Sequence, residues 1–134
     1  MTIQTSPHGR RRQLLGYVGA ALLLLIIPVK LLRYWSTTGQ MLVGVAPSLL
    51  GPSGLLFLFL SSPGRLSKLT LVQMAILVGA ISVGLELAQL LPRPGIFAGV
   101  RYTFDVLDLL ATVLSVSVSA AIAGLVLGRG ASRE

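Results

Sequence analysis

LTLVQMAILVGAISVGLELAQLL, residues 69–91, is a run of 23 residues in which Glu86 alone carries a charge. About 20 apolar residues cross the hydrocarbon layer as a helix, so this stretch reads as a membrane span that carries one acid near its end. Ala75, Gly79, Ser82, Glu86 and Gln89 recur at alternating steps of four and three, which gathers the small and polar residues into one seam. Leu, Ile and Val make up most of the remaining positions. Lipid supplies no hydrophobic drive between helices, so a seam of this kind is where a neighbouring helix packs and hydrogen-bonds.

Further runs of membrane length lie at roughly 14–32, 41–61 and 104–127. The chain of 134 residues is 54% hydrophobic and 11% charged, with a mean hydropathy of +0.86, outside the range of a soluble domain. The expected fold is therefore an all-α membrane protein, an up-down bundle of four transmembrane helices over residues 14–128. A basic cytoplasmic tail (1–13) and a short cytoplasmic tail (129–134) flank it. Gly44, Pro47, Gly51, Pro52 and Gly54 fall inside the second run and predict a broken or kinked helix. The turn into the third run contains Pro63-Gly64 and the basic pair Arg65 and Lys68.

The net charge of +7 resides at the ends of the apolar runs, a topology signal and not a nucleic-acid surface. With the N-terminus inside, Arg10, Arg11, Arg12, Arg65, Lys68, Arg129 and Arg133 face the cytoplasm, and Lys30, Arg33, Arg93 and Arg101 lie outside. The larger inner set predicts a multi-pass protein with both termini cytoplasmic. The basic run before Leu14 to Ile27 also has the form of a signal peptide. It is followed by Pro28-Val29-Lys30 and not by a small-x-small cleavage site, so an uncleaved helix is expected. Tyr34 and Trp35 suit anchors at the interface. The chain has no Cys, and its single His8 lies in the polar tail, so no metal site and no cofactor are expected.

The fourth run repeats the design of the third. Asp105, Asp108, Thr112, Ser115 and Ser119 fall within an arc of roughly 80° at 100° per residue. Consecutive helices joined by a short loop lie antiparallel, so the two seams are expected to face each other, with Glu86, Gln89, Asp105 and Asp108 near the outer end. Arg93 and Arg101 in the intervening loop are the nearest countercharges. Arg101 precedes Asp105 by one helical turn. The bland reading of this cluster is an ion-paired plug that fixes the hairpin. The functional reading is an outward-facing site built from Glu86, Gln89, Arg93, Arg101, Asp105, Asp108 and Thr112 that takes a polar ligand, with Ala75, Gly79, Ser82, Ser115 and Ser119 as the packing seam. Paired carboxylates with neither a nucleophile motif nor a base histidine offer little support for an enzyme.

The succession Glu86-Leu-Ala-Gln89, Pro92-Arg93-Pro94-Gly95 and Arg101-Tyr-Thr-Phe-Asp105-Val-Leu-Asp108-Leu-Leu-Ala-Thr112 resembles the motif region of VanZ-like membrane proteins. In those, a helix ends in E-x-x-Q, a loop supplies an Arg, and the next helix opens D-x-x-x-N-x-x-G. The resemblance covers about the last half of the chain. Thr112 and Ser115 stand where the family commonly has Asn and Gly, and the His-containing entry to the second helix is missing around Gln40 to Ala46. Members are associated with resistance to the glycopeptide teicoplanin. The resemblance thus implies a cell-envelope role, non-enzymatic binding or shielding of an envelope lipid or an amphipathic glycopeptide. Two alternatives stay open. One is a small transporter or lipid flippase, working as a homo-oligomer with Glu86 as its titrating group. The other is an accessory subunit of a larger membrane complex.

Overall fold

A computed structural model describes residues 7–35, 40–88 and 106–128, which form four α-helices: α1 (Pro7–Trp35), α2 (Gln40–Ser61), α3 (Leu71–Ala88) and α4 (Val106–Gly128). Each contains a stretch long and apolar enough to cross a membrane, and the protein is a multi-pass membrane protein. The helices run up, down, up and down. α1 is antiparallel to α2, as shown by Gly16 lying against Ser61, Gly19 against Gly54, and Gly51 facing Ile26.

α1 extends further toward the N-terminus than its apolar run. Pro7 is its first residue, where a missing N–H leaves no hydrogen bond unmade, and Arg10, Arg11 and Arg12 lie within the helix instead of in a tail. The Arg11 side chain accounts for part of this extension. Its Nη1 donates to the Val126 carbonyl at 3.0 Å, supplying a cation and a donor to the last turn of α4, where backbone carbonyls lack intrahelical partners.

α2 is the hub of the bundle and packs against the other three helices. Its contact with α1 is a backbone crossing. A Cβ on Gly19 would lie 2.7 Å from the Gly54 carbonyl oxygen, and one on Gly54 would lie 2.8 Å from Leu23 Cγ, so only glycine at both positions permits this approach. Pro47 and Pro52 sit inside one helical segment, Gln40–Ser61, which continues through both. Below the crossing, Leu56, Phe57 and Leu60 of α2 meet Leu15 of α1, Met74 and Val78 of α3, and Val116 and Ala123 of α4 to form the buried core.

The α2–α3 connection terminates one helix and starts the next with side chains. Ser61 and Ser62 hydroxyls both donate to the Leu58 carbonyl, at 2.7 and 2.9 Å. The chain reverses through Gly64, whose φ of +91° lies in the left-handed region. A short 3-10 turn, Leu66–Lys68, follows. Thr70 then caps α3. Its hydroxyl accepts from Gln73 N at 3.2 Å, while Gln73 Oε1 accepts from Thr70 N at 3.0 Å, a reciprocal capping box that sets the start of α3 at Leu71.

Candidate functional site

The polar residues of the bundle meet along α2 and α4, and the proline in α2 explains why. Pro52 has no N–H, so the Ser48 carbonyl four residues earlier loses its helical donor. In lipid that carbonyl needs another donor. Thr112 of α4, 1% exposed, provides it, with Oγ1 3.4 Å from the Ser48 oxygen. One turn further along α4, the Ser115 hydroxyl donates to the Leu49 carbonyl. The pairings Ser48 with Thr112 and Ser53 with both Ser115 and Ser119 advance together in the two sequences, so α2 and α4 run parallel.

The hydroxyls form a directed chain. Ser115 has one proton and gives it to Leu49, so in the 2.6 Å contact between Ser53 and Ser115 the donor is Ser53. Ser119 in turn donates to Ser53 at 2.8 Å. The order is Ser119 to Ser53 to Ser115 to the Leu49 carbonyl, with every hydroxyl proton used.

The upper end of this ladder carries the acids. Ser48 Oγ donates to Glu86 Oε1 of α3 at 3.2 Å, so one buried serine links α3 through its side chain and α4 through its carbonyl. Asp108 lies one turn before Thr112 on α4, about 6 Å nearer that end of the bundle. Its Oδ1 is buried and has no hydrogen-bond partner among the described residues. The described carboxylates, Glu86 and Asp108, thus occupy the same end. Arg10, Arg11, Arg12, Arg65 and Lys68 occupy the opposite one, while Lys30 and Arg33 of α1 share the end of the acids, so among the described residues the excess of positive charge lies at the Arg10–Arg12 end. Among the described residues no group of three His, Cys, Asp or Glu side chains is placed to hold a metal.

The structure relocates parts of the expected seams. Thr112, Ser115 and Ser119 are buried against α2 and bond to it, not to α3. On α3 the buried stripe is Met74, Val78 and Ser82, a step of four, which Glu86 continues. Ala75 is half-buried at the edge of the core, and a Cβ on Gly79 would meet nothing within 4 Å among the described residues, so Gly79 is no close-packing position between these helices. The physical reason is volume: Met74 and Val78 fill the space toward α2 and α4, and Ala75 and Gly79 turn aside. Gln89, Arg93, Arg101 and Asp105 lie outside the described residues. Ser48 and Ser53 are site residues that the seam patterns did not single out, although each directly follows a proline in an apolar span.

Compared with known proteins, the chain matches no protein-family profile, no curated protein and no solved structure.

Proposed function

We propose that this chain is a VanZ-like integral membrane protein with a cell-envelope role, which binds or shields a polar group of an envelope component, or of an amphipathic glycopeptide inserted beside one, without catalysing a reaction. The observation that carries this reading is the buried Asp108 Oδ1, to which no described residue donates, one turn from Thr112, whose bond to the Ser48 carbonyl ties α4 to the serine that donates to Glu86. A buried polar atom without a partner costs about 1–3 kcal/mol, more if charged, and ionisable groups inside a membrane bundle cluster at functional sites. A ligand amine, amide or hydroxyl supplies the missing donor. Gln89, Arg93, Arg101 and Asp105 follow Glu86 or precede Asp108 in sequence and are the groups that would surround it. The distribution of Lys and Arg supports an orientation with the Arg10–Arg12 end in the cytoplasm and the Glu86 end outside, in a bacterial inner membrane.

The test compares wild type with Glu86→Gln and Asp108→Asn, measuring folded yield in detergent and the glycopeptide susceptibility of expressing cells. The expected outcome is normal folding with loss of the protection that wild type confers. Variants that fail to fold would make the cluster a plug of the bundle, and a wild type that confers no protection would remove the glycopeptide reading.

A second reading, an accessory subunit of a membrane complex, is favoured by Gly79, which leaves room on α3 for the close approach of a partner helix. Copurification of a partner from wild type, lost with Gly79→Leu, would select it.

A further inference from the structure

Between α2 and α4, on the side closed by Leu22 of α1, lies a slot of about 320 Å³. Its floor is the hydroxyl chain of Ser53, Ser115 and Ser119, and its walls include Leu50, Phe57, Leu114 and Ile122. We infer that this slot holds one acyl chain of a bilayer phospholipid, a site separate from the Glu86 end of the bundle and independent of the role proposed for it.

Depth, chemistry and width identify the occupant. In depth, the lining positions on α4, Leu114 to Ile122, are the middle of a 23-residue membrane-length helix, so hydrocarbon surrounds the opening. In chemistry, the floor offers no free donor, because each serine proton is already committed along the chain that ends at the Leu49 carbonyl. A headgroup rich in acceptor oxygens would find nothing to accept from, whereas methylene groups lose nothing by lying there.

Width excludes a helix. Spread over the roughly 12 Å from Leu114 to Ile122 (eight residues at about 1.5 Å each), 320 Å³ leaves atom centres a cross-section of about 27 Å², so the walls of the slot stand some 8 Å apart. An α-helix with its side chains is about 10–12 Å wide and does not enter. A single extended hydrocarbon chain, whose carbons approach their neighbours at about 3.5–4.0 Å, does. The chain would fill the gap between α2 and α4 with Leu22 at its side and complete the packing of α1 against α4, which the described contacts leave sparse.

The full-length protein is reconstituted in phosphatidylethanolamine vesicles containing phosphatidylglycerol with a mid-chain diazirine, photolysed, and mapped by tandem mass spectrometry. Adducts are expected to concentrate on Leu50, Phe57 and Leu114. They should be lost in Val118→Trp, which fills the slot from its lining, and retained in Val113→Trp, which adds the same bulk to an exposed position outside it. Should Val118→Trp not fold, Ile122→Phe fills the lower half of the slot with a smaller change and is read the same way. Labelling spread evenly over exposed positions such as Leu24 and Leu125, or unchanged when the slot is filled, would overturn the site. Displacement of the label by a free polyprenol but not by unlabelled phospholipid would overturn the acyl-chain assignment, as would photo-cross-links joining two copies of the chain through the slot.

Discussion

Thr112 on α4 donates to the Ser48 carbonyl, the one group in α2 that Pro52 deprives of its backbone donor four residues on. The proline creates a need and the threonine meets it, so the two residues are coupled although no contact between them is required. A bond of this type in a membrane bundle is worth about 0.6 kcal/mol on average and up to about 1.7. Thr112→Val is expected to cost about 1 kcal/mol in wild type and close to nothing in a Pro52→Ala background, where the restored backbone N–H would reclaim the carbonyl. Steric-trapping or SDS-unfolding measurements on the four proteins of the cycle check this. Equal costs in both backgrounds would refute it.

The direction of the serine chain yields an ordering. Nothing donates to Ser119 among the described residues, so Ser119→Ala removes one hydrogen bond and strands no donor. Ser53→Ala removes two, its own donation to Ser115 and its acceptance from Ser119, and leaves the buried Ser119 proton without an acceptor. Ser53→Ala should therefore destabilise more than Ser119→Ala, by about 1 kcal/mol. The same unfolding assay applied to both variants decides the matter.

Glycine substitutions should separate by position. Gly19→Ala and Gly54→Ala force a methyl to within 3 Å of the opposing helix, Gly54 carbonyl oxygen in the first case and Leu23 in the second, and are expected to cost about 1–3 kcal/mol each. Gly79→Ala meets open space in mid-helix and should stabilise by about 0.5–1 kcal/mol through helix propensity. Melting curves in one detergent suffice. A destabilising Gly79→Ala would point to a close contact at Gly79 with something other than this chain.

Those three glycines also show what a sequence reader can and cannot see. The four spans were legible because backbone groups in lipid must be satisfied internally, which leaves an apolar run of this length little choice but a helix. The spacing of Gly79 and Ser82 suggested a packing seam, and Ser82 is buried, yet Gly79 is not part of the buried stripe, which runs through Met74 and Val78 because the volume that fills the interhelical space decides which face turns inward. The polar face of α4 was legible as a set, and its partner was not. Chain adjacency favoured α3, whereas α2 holds the carbonyl that lacks a donor. The clue lay in Pro52, whose missing N–H specifies where a hydroxyl from another helix must come, and in Ser53 directly after it.

At Asp108 the plug and the site predict opposite signs for one substitution. It lies in the first turn of α4, where the helix dipole favours an anion by about 0.3–1 kcal/mol. Against that stands its buried Oδ1, to which no described residue donates and which, left without any donor, costs about 1–3 kcal/mol. If the oxygen is orphaned in the ligand-free protein, the second effect is the larger, and Asp108→Ala should stabilise the bundle by about 1 kcal/mol while abolishing ligand binding, the trade of stability for function seen where a site is held ready. If a loop arginine, Arg93 or Arg101, holds that oxygen, removing the carboxylate breaks a buried charge pair and the variant should lose about 3–5 kcal/mol. The two outcomes differ in sign, so a single unfolding comparison of Asp108→Ala with wild type, in detergent and without ligand, separates a carboxylate kept available for a ligand from one that locks the hairpin.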